Sequence, residues 1–452
     1  MIRSRVRQTL LTLSVSGYVA AQRQVGRSSL TPTFVQQWAD QHRFATSMLK
    51  RSRLSPEVKQ ALILLREITY PMAMQARSAI PYYYPYTCVN VLDWYMGNCG
   101  KEPEKLTRKS VLGIVALLLD LARFEMQSLI GCESVQLLHF EPELAVQRIR
   151  MLKGVYDATA PLRERIPDCI SQLTPVPRRY DNLIDYASDS DRIGGLVNLS
   201  CLPQTQFHDE VLFLRSIHIS ELCFYGLRVA TIQAKDAIHR GAFDNARARF
   251  EEAIAFAEVL RNIFQVVRTM PLQHFLDFRS SAANASAVQS ANYQLLEIQL
   301  FGLSDHKLAL FERIPHLRSL RRYYHPGFVS LRDELASLPA TRHTAELESM
   351  LEAARQLDSK LLTWRGLHVS FAKFYLSDIP IGTGGTSGAA YLKTFLRNTL
   401  FGQTTIEPEL AEELAESGDN PSDVNFAGID LHIAPPRELI GPDKVINSEP
   451  VD

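Results

Sequence analysis

Apolar residues along this chain recur at three- and four-residue spacings, and nowhere in convincing two-residue alternation, so the pattern predicts helices throughout and an all-α fold. Helices are expected over 56–70 and 107–130, and again over 209–228, where Leu212, Phe213, Ser216, Ser220 and Phe224 fall near one face. The span 243–270 is long and amphipathic, with Glu251, Glu252 and Arg261 on its polar side, and Pro271 ends it. Further helices are expected over 317–338, interrupted at Pro326, and over 346–375. The most apolar run, 111–122, contains Asp120 and is shorter than the roughly 20 residues that a bilayer requires, so it reads as a buried helix.

The breaks between these segments suggest an organisation. Pro81-Tyr82-Tyr83-Tyr84-Pro85-Tyr86 is loop chemistry, read as an aromatic plug where helices cross, with a ligand-lining role as the rival. Thr174-Pro175-Val176-Pro177-Arg178-Arg179 reads as a linker, and beyond Gly402 the composition turns acidic and rich in Pro, Asn and Gly, as an unpacked tail does. The expected division is an N-terminal helical domain over 1–185, a second helical domain over 186–402 and a disordered tail over 403–452.

Composition narrows the partners. Apolar residues make up 46% and charged residues 22%, ordinary values for a globular chain. Basic and acidic residues balance at 49 each, which gives no electrostatic case for nucleic acid or a membrane surface and points to a small-molecule partner. The six cysteines include no C-x-x-C pair, which argues against a zinc ribbon, a redox dithiol or a c-type haem attachment and fits a reducing compartment. Arg3, Arg5 and Arg7 before Leu10-Leu11 imitate a signal peptide, but the apolar stretch is short and broken by Thr12 and Ser14, so a cytoplasmic location is expected.

The densest chemical signal is Trp364-Arg365-Gly366-Leu367-His368 followed by Gly382-Thr383-Gly384-Gly385-Thr386-Ser387-Gly388. One helical histidine followed by a glycine turn, whose backbone can approach closely, suits haem ligated from one side, although glycine turns without cofactors are commoner. W-R-x-x-H followed by G-T-G-G-[ST]-S-G-x-x-Y-L resembles the C-terminal signature of the tryptophan 2,3-dioxygenase family. Phe207-His208-Asp209-Glu210, Phe213 and Ser220-Glu221-Leu222 resemble its H-D-E-x-L-F…S-E-L-W block, and Asp277-Phe278-Arg279, Gln289-Ser290 and Leu295-Leu296-Glu297 its D-F-R…Q-S…L-L-E stretch. The glycine turn with Tyr391-Leu392-Lys393-Thr394 is also similar to the sister indoleamine 2,3-dioxygenases, which carry an additional N-terminal helical domain.

The resemblance implies a helical-bundle domain holding haem b, with His368 as the proximal iron ligand and Gly382, Gly384 and Gly385 shaping the turn over the cofactor. It implies that Arg279 clamps a substrate carboxylate, that Thr383 contacts the substrate's ammonium and carboxylate, and that Phe213 and Phe275 line an aromatic pocket. An aromatic amino acid or indole and O2 become the expected partners, in a homodimer or homotetramer. The leading expectation is oxygen insertion into the indole C2–C3 bond of L-tryptophan, giving N-formylkynurenine. Two departures keep a second reading open. The family's distal histidine aligns with Ile217, and histidine follows one position later as His218, about 100° further around a helix. A pocket role for His218, as a catalytic residue, stands level with one in which it points elsewhere. The family's tyrosine in G-G-Y-L-x-L is Leu196 in the segment Gly194-Gly195-Leu196-Val197-Asn198-Leu199. The alternatives are a hydroxylating or rearranging oxygenase of secondary metabolism and a haem sensor without turnover.

Overall fold

The computed structural model describes residues 2–402 apart from 52–53, 80–81, 98–101, 132–136, 168–181, 188–191, 340–343 and 376–391. The linker expected at 174–179, the glycine turn at 382–388 and the expected tail therefore lie outside the described residues. Among the described residues the regular structure is helical, and the one β-bridge is the isolated pair Leu138–Phe207.

The N-terminal helices are α1 (Ile2–Thr12), α2 (Val15–Val25), α3 (Pro32–Leu49), α4 (Pro56–Gln75), α5 (Tyr83–Thr87), α6 (Asn90–Met96), α7 (Pro103–Leu129), α8 (Pro142–Ala158), α9 (Ala160–Arg163) and α10 (Leu183–Tyr186). They are followed by α11 (Arg192–Ser200), α12 (His208–His239), α13 (Phe243–Val267), α14 (Leu272–Ala282), α15 (Ala291–Phe301), α16 (Asp305–Arg313), α17 (Leu331–Ala336) and α18 (Ala345–Tyr375). Local chemistry sets several starts. Thr31 and Ser55 accept the Phe34 and Val58 amides, each just before a proline at the first helical position.

Three boundaries differ from the sequence pattern: α12 runs on to His239 rather than ending at 228, and the other two differ for a visible reason. Helix α4 runs through Pro71 to Gln75 rather than stopping at 70. Proline cannot donate to the Glu67 carbonyl one turn back, but the Asn90 side chain does, at 2.8 Å. The span expected as one interrupted helix over 317–338 is a 3-10 turn over Pro315–Tyr323 and then α17, which starts at a Ser330/Asp333 capping box.

Helix α12 is buried around nearly its whole girth between residues 212 and 231, which makes it the central element. It packs along α7, α13 and α15, and α13 in turn packs along α18. One continuous apolar core runs from Val6 to Leu400, so the N-terminal helices share it with the rest of the chain. Helix α12 approaches α13 closely at Gly226, where an added Cβ would overlap the Phe256 ring. Gly226→Ala is expected to cost about 1–3 kcal/mol by forcing that ring off its rotamer. Chemical denaturation would measure the loss, and an unchanged midpoint would show that the crossing has slack.

Candidate active site

Helices α12 and α18 wall a pocket with about 610 Å3 of space, counting its open mouth. Helix α12 presents Ile217, Ser220, Glu221 and Phe224, whose three- and four-residue spacing is one helical face. Helix α18 presents Trp364 and His368, four apart, while Phe264 of α13 and Tyr293 of α15 close the sides. The lining is therefore aromatic and aliphatic, with few polar groups, as small-molecule sites are.

His368 lies deep in the protein with part of its ring surface open. Its ring meets Phe264 edge-on at 5.8 Å and Trp364 at 5.9 Å. Burial pushes its pKa down to about 4, so the imidazole is neutral at physiological pH, the form in which histidine binds a metal. The pocket thus offers the donor type that a one-sided haem site requires, an uncharged imidazole among aromatic walls, and His368 fits the group the resemblance implies.

The arginine of the same motif does something else. Arg365 Nη2 pairs with Glu297 Oε1 at 2.5 Å and its Nη1 donates to the Asn398 carbonyl at 2.8 Å. Lys307 reaches the other Glu297 oxygen at 3.2 Å. Burial opposes the Glu297 charge, but Arg365 and Lys307 outweigh it and hold the carboxyl down at about 2. The two sequence motifs W-R-x-x-H and L-L-E are thereby tied side chain to side chain, fixing the rotation of α18 and with it the direction of His368.

A similar lock sits in the pocket wall. Glu221 accepts from Tyr83 Oη at 2.8 Å, Ser290 Oγ at 2.6 Å and Asn292 Nδ2 at 2.8 Å. Burial raises its pKa, an effect the three donors partly offset. Tyr83 belongs to the proline-flanked tyrosine stretch, and the structure makes it both packing and pocket wall. The sequence exposed the stretch but could not say which tyrosine turns inward, nor that an N-terminal helix borders the site.

The remaining expected residues separate into those near the pocket and those away from it. Ile217 is in its wall. Phe213, one turn earlier on α12 and fully buried, meets Phe275 and Phe278 at 5.9 and 5.5 Å in an adjoining aromatic layer. Arg279, at the end of α14, lies over the Phe275 ring at 5.8 Å, and burial lowers its pKa. Among the described residues no carboxylate pairs with Arg279.

His218 corrects the catalytic expectation. It is fully buried, with Nε2 donating to the Thr87 carbonyl at 2.6 Å and Nδ1 3.5 Å from Arg215 Nη1, and it is absent from the pocket wall. Burial and then Arg215 push its pKa down to about 3. The rotation of one residue along α12 turns it toward α5, so Ile217 alone faces the pocket at this level. Leu196 is buried against α7 beside Gly113. Thr383, Gly382, Gly384 and Gly385 lie outside the described residues.

Comparison with known proteins agrees with the motifs. The family profile described as tryptophan 2,3-dioxygenase matches residues 191–316, a span that includes Ile217, Arg279 and Ser290 but stops short of His368. The chain is 27% identical over 229 residues to the tryptophan 2,3-dioxygenase of Anaeromyxobacter sp. (strain K), covering 44% of this chain and 86% of that protein. It is 25% identical over 265 residues to that of Ruegeria pomeroyi, covering 50% of this chain and 94% of the relative. The Pseudomonas fluorescens enzyme of the same name is 25% identical over 262 residues, covering 49% and 91%. Half of this chain or more therefore has no counterpart in these relatives. No helix among the described residues is long and apolar enough to cross a membrane.

Proposed function

This chain is a relative of the tryptophan 2,3-dioxygenases within the tryptophan/indoleamine dioxygenase superfamily, and from that premise we propose that it is a haem-dependent dioxygenase acting on L-tryptophan. The observation that carries the reading is a neutral imidazole, His368, facing an aromatic pocket, with Arg279 in the adjoining layer and paired with no carboxylate among the described residues. Haem bound on His368 would supply the activation of O2 and the oxygen chemistry.

The chain's own part is binding, orientation and exclusion of water. His368 would hold the cofactor, from a helix whose rotation is fixed by the Arg365–Glu297 lock. Arg279 takes the substrate carboxylate, Thr383 of the glycine turn shares its ammonium and carboxylate, and the aromatic pocket wall receives the ring, with the Phe213–Phe275–Phe278 layer packed beside it. Ile217 contributes a dry aliphatic wall and no hydrogen bond to an indole N–H. Holding the reacting ring in place converts a collision into an intramolecular encounter.

Ile217 also favours one alternative. Without a polar side chain at position 217, the same scaffold suits a hydroxylating oxygenase acting on an aromatic amino acid or indole. Mass analysis of the product formed from L-tryptophan and isotopically labelled O2 separates the two. Both labelled atoms in N-formylkynurenine are expected; one labelled atom, or no turnover of tryptophan, would overturn the leading assignment.

A further inference from the structure

A second cavity opens on the seam between the N-terminal helices and α14, and it shares no lining residue with the His368 pocket. It holds about 930 Å3 of space counting its open mouth, and its polar wall is made by Arg27, Gln75, Ser78, Gln204, Ser280 and Ser281. Pro71, Met74 and Pro85 form an apolar side.

Arg27 is the unexplained group. It is 1% exposed, a burial that a cation rarely tolerates without a carboxylate beside it. Its Nη2 donates to the Tyr86 carbonyl at 3.0 Å and its Nη1 meets the Cys88 sulfur at 3.5 Å. Its Nε has no hydrogen-bond partner, and among the described residues no carboxylate pairs with it. Glu210 feels its charge but is engaged elsewhere, accepting the Gln204 and Thr205 amides at 3.0 and 2.7 Å.

The backbone around Arg27 is strained as well. Four non-glycine residues among those described have positive φ, and three cluster here: Ser78 at 53°, Cys88 at 57° and Ala283 at 50°. Ser78 and Ala283 line the cavity, and Cys88 touches Arg27. Conformations of this kind persist where surrounding structure enforces them, and they concentrate at ligand sites.

We propose that the seam cavity binds a small organic monocarboxylate, the carboxylate seated against Arg27 and the hydroxyls of Ser78, Ser280 and Ser281, and the apolar body against Pro71, Met74 and Pro85. A single guanidinium with neutral donors matches one negative charge, whereas a phosphate dianion asks for more cations. The site is independent of the oxygenase reading, because none of its residues lines the His368 pocket.

Calorimetric titration of the haem-loaded protein with hexanoate, which lacks an aromatic ring, tests this, with acetate and inorganic phosphate as comparators. Saturable one-site binding with a dissociation constant of about 1 mM or tighter is expected, without change in the haem absorption band. Gln75→Glu, which sets a carboxylate in the wall, should weaken binding about tenfold or more, as should Arg27→Met. His368→Ala should bind the probe as the parent does. Should Arg27→Met fail to fold, Gln75→Glu decides alone. No saturable heat, equal affinity in Gln75→Glu, tighter binding of phosphate, or binding that shifts the haem band would each overturn the assignment.

Discussion

His368→Ala is expected to emerge from haem-supplemented expression with its helical content intact and little or no haem. The side chain sits on α18 between Phe264 and Trp364, and its removal leaves a pocket whose α12 wall offers Ile217 and Phe224 but no replacement imidazole. His218 cannot substitute, since it is buried outside the pocket wall with its Nε2 committed to the Thr87 carbonyl of α5. Iron–imidazole ligation contributes most of the directional binding at such a site, so a loss of bound haem of at least about tenfold is expected. Absorbance of the purified protein, with circular dichroism as the control for folding, measures it. Haem retained in full, with an axial-nitrogen spectrum like that of the parent, would remove His368 from the ligand role and the proposed function with it.

Glu297→Ala is expected to produce the largest loss of stability among single substitutions near the site. It would strand two buried cations, Arg365 and Lys307, which now meet the Glu297 carboxylate from α18 and α16. Breaking a buried pair by removing one partner costs about 3–5 kcal/mol, because a desolvated charge is left uncompensated. The double variant Glu297→Leu with Arg365→Met should be less damaged than Glu297→Ala, and denaturation midpoints of the two would show it. The pH dependence has a definite sign. The folded carboxyl is depressed to about 2 from an ordinary 4.5, so its contribution is complete above the ordinary value and is lost as pH falls toward 2. A parent whose acid lability below pH 4.5 matched that of Glu297→Ala would refute this account.

The two predictions probe different roles of one motif. In Trp364-Arg365-Gly366-Leu367-His368 the histidine and tryptophan face the pocket, while the arginine faces α15 and fixes the helix. Spacing explains the split: residues four apart share a helical face, and the arginine between them points about 100° away from its tryptophan neighbour.

Much of this was legible in the linear chain. Helical periodicity marked α7, α13 and α18 to within a few residues, and the start of α12 though not its run on to His239, since an amphipathic or buried helix imposes its own apolar spacing. The motifs carrying His368, Arg279 and Ser290 were also readable, because short segments on single helices keep their spacing whatever they pack against. What remained open was decided by contacts between distant segments. Only the packing of α12 against α5 and α11 shows that His218 is sequestered by Thr87 and Arg215, while Ile217 faces the pocket. Only the fold brings Tyr83 to Glu221, 138 positions later, and leaves Arg27 buried against a cavity that Ser280 and Ser281 also line. A helical sequence specifies which faces exist; which faces meet, and which buried polar groups find partners, follows from tertiary packing, where the cost of an unpaired buried group is settled.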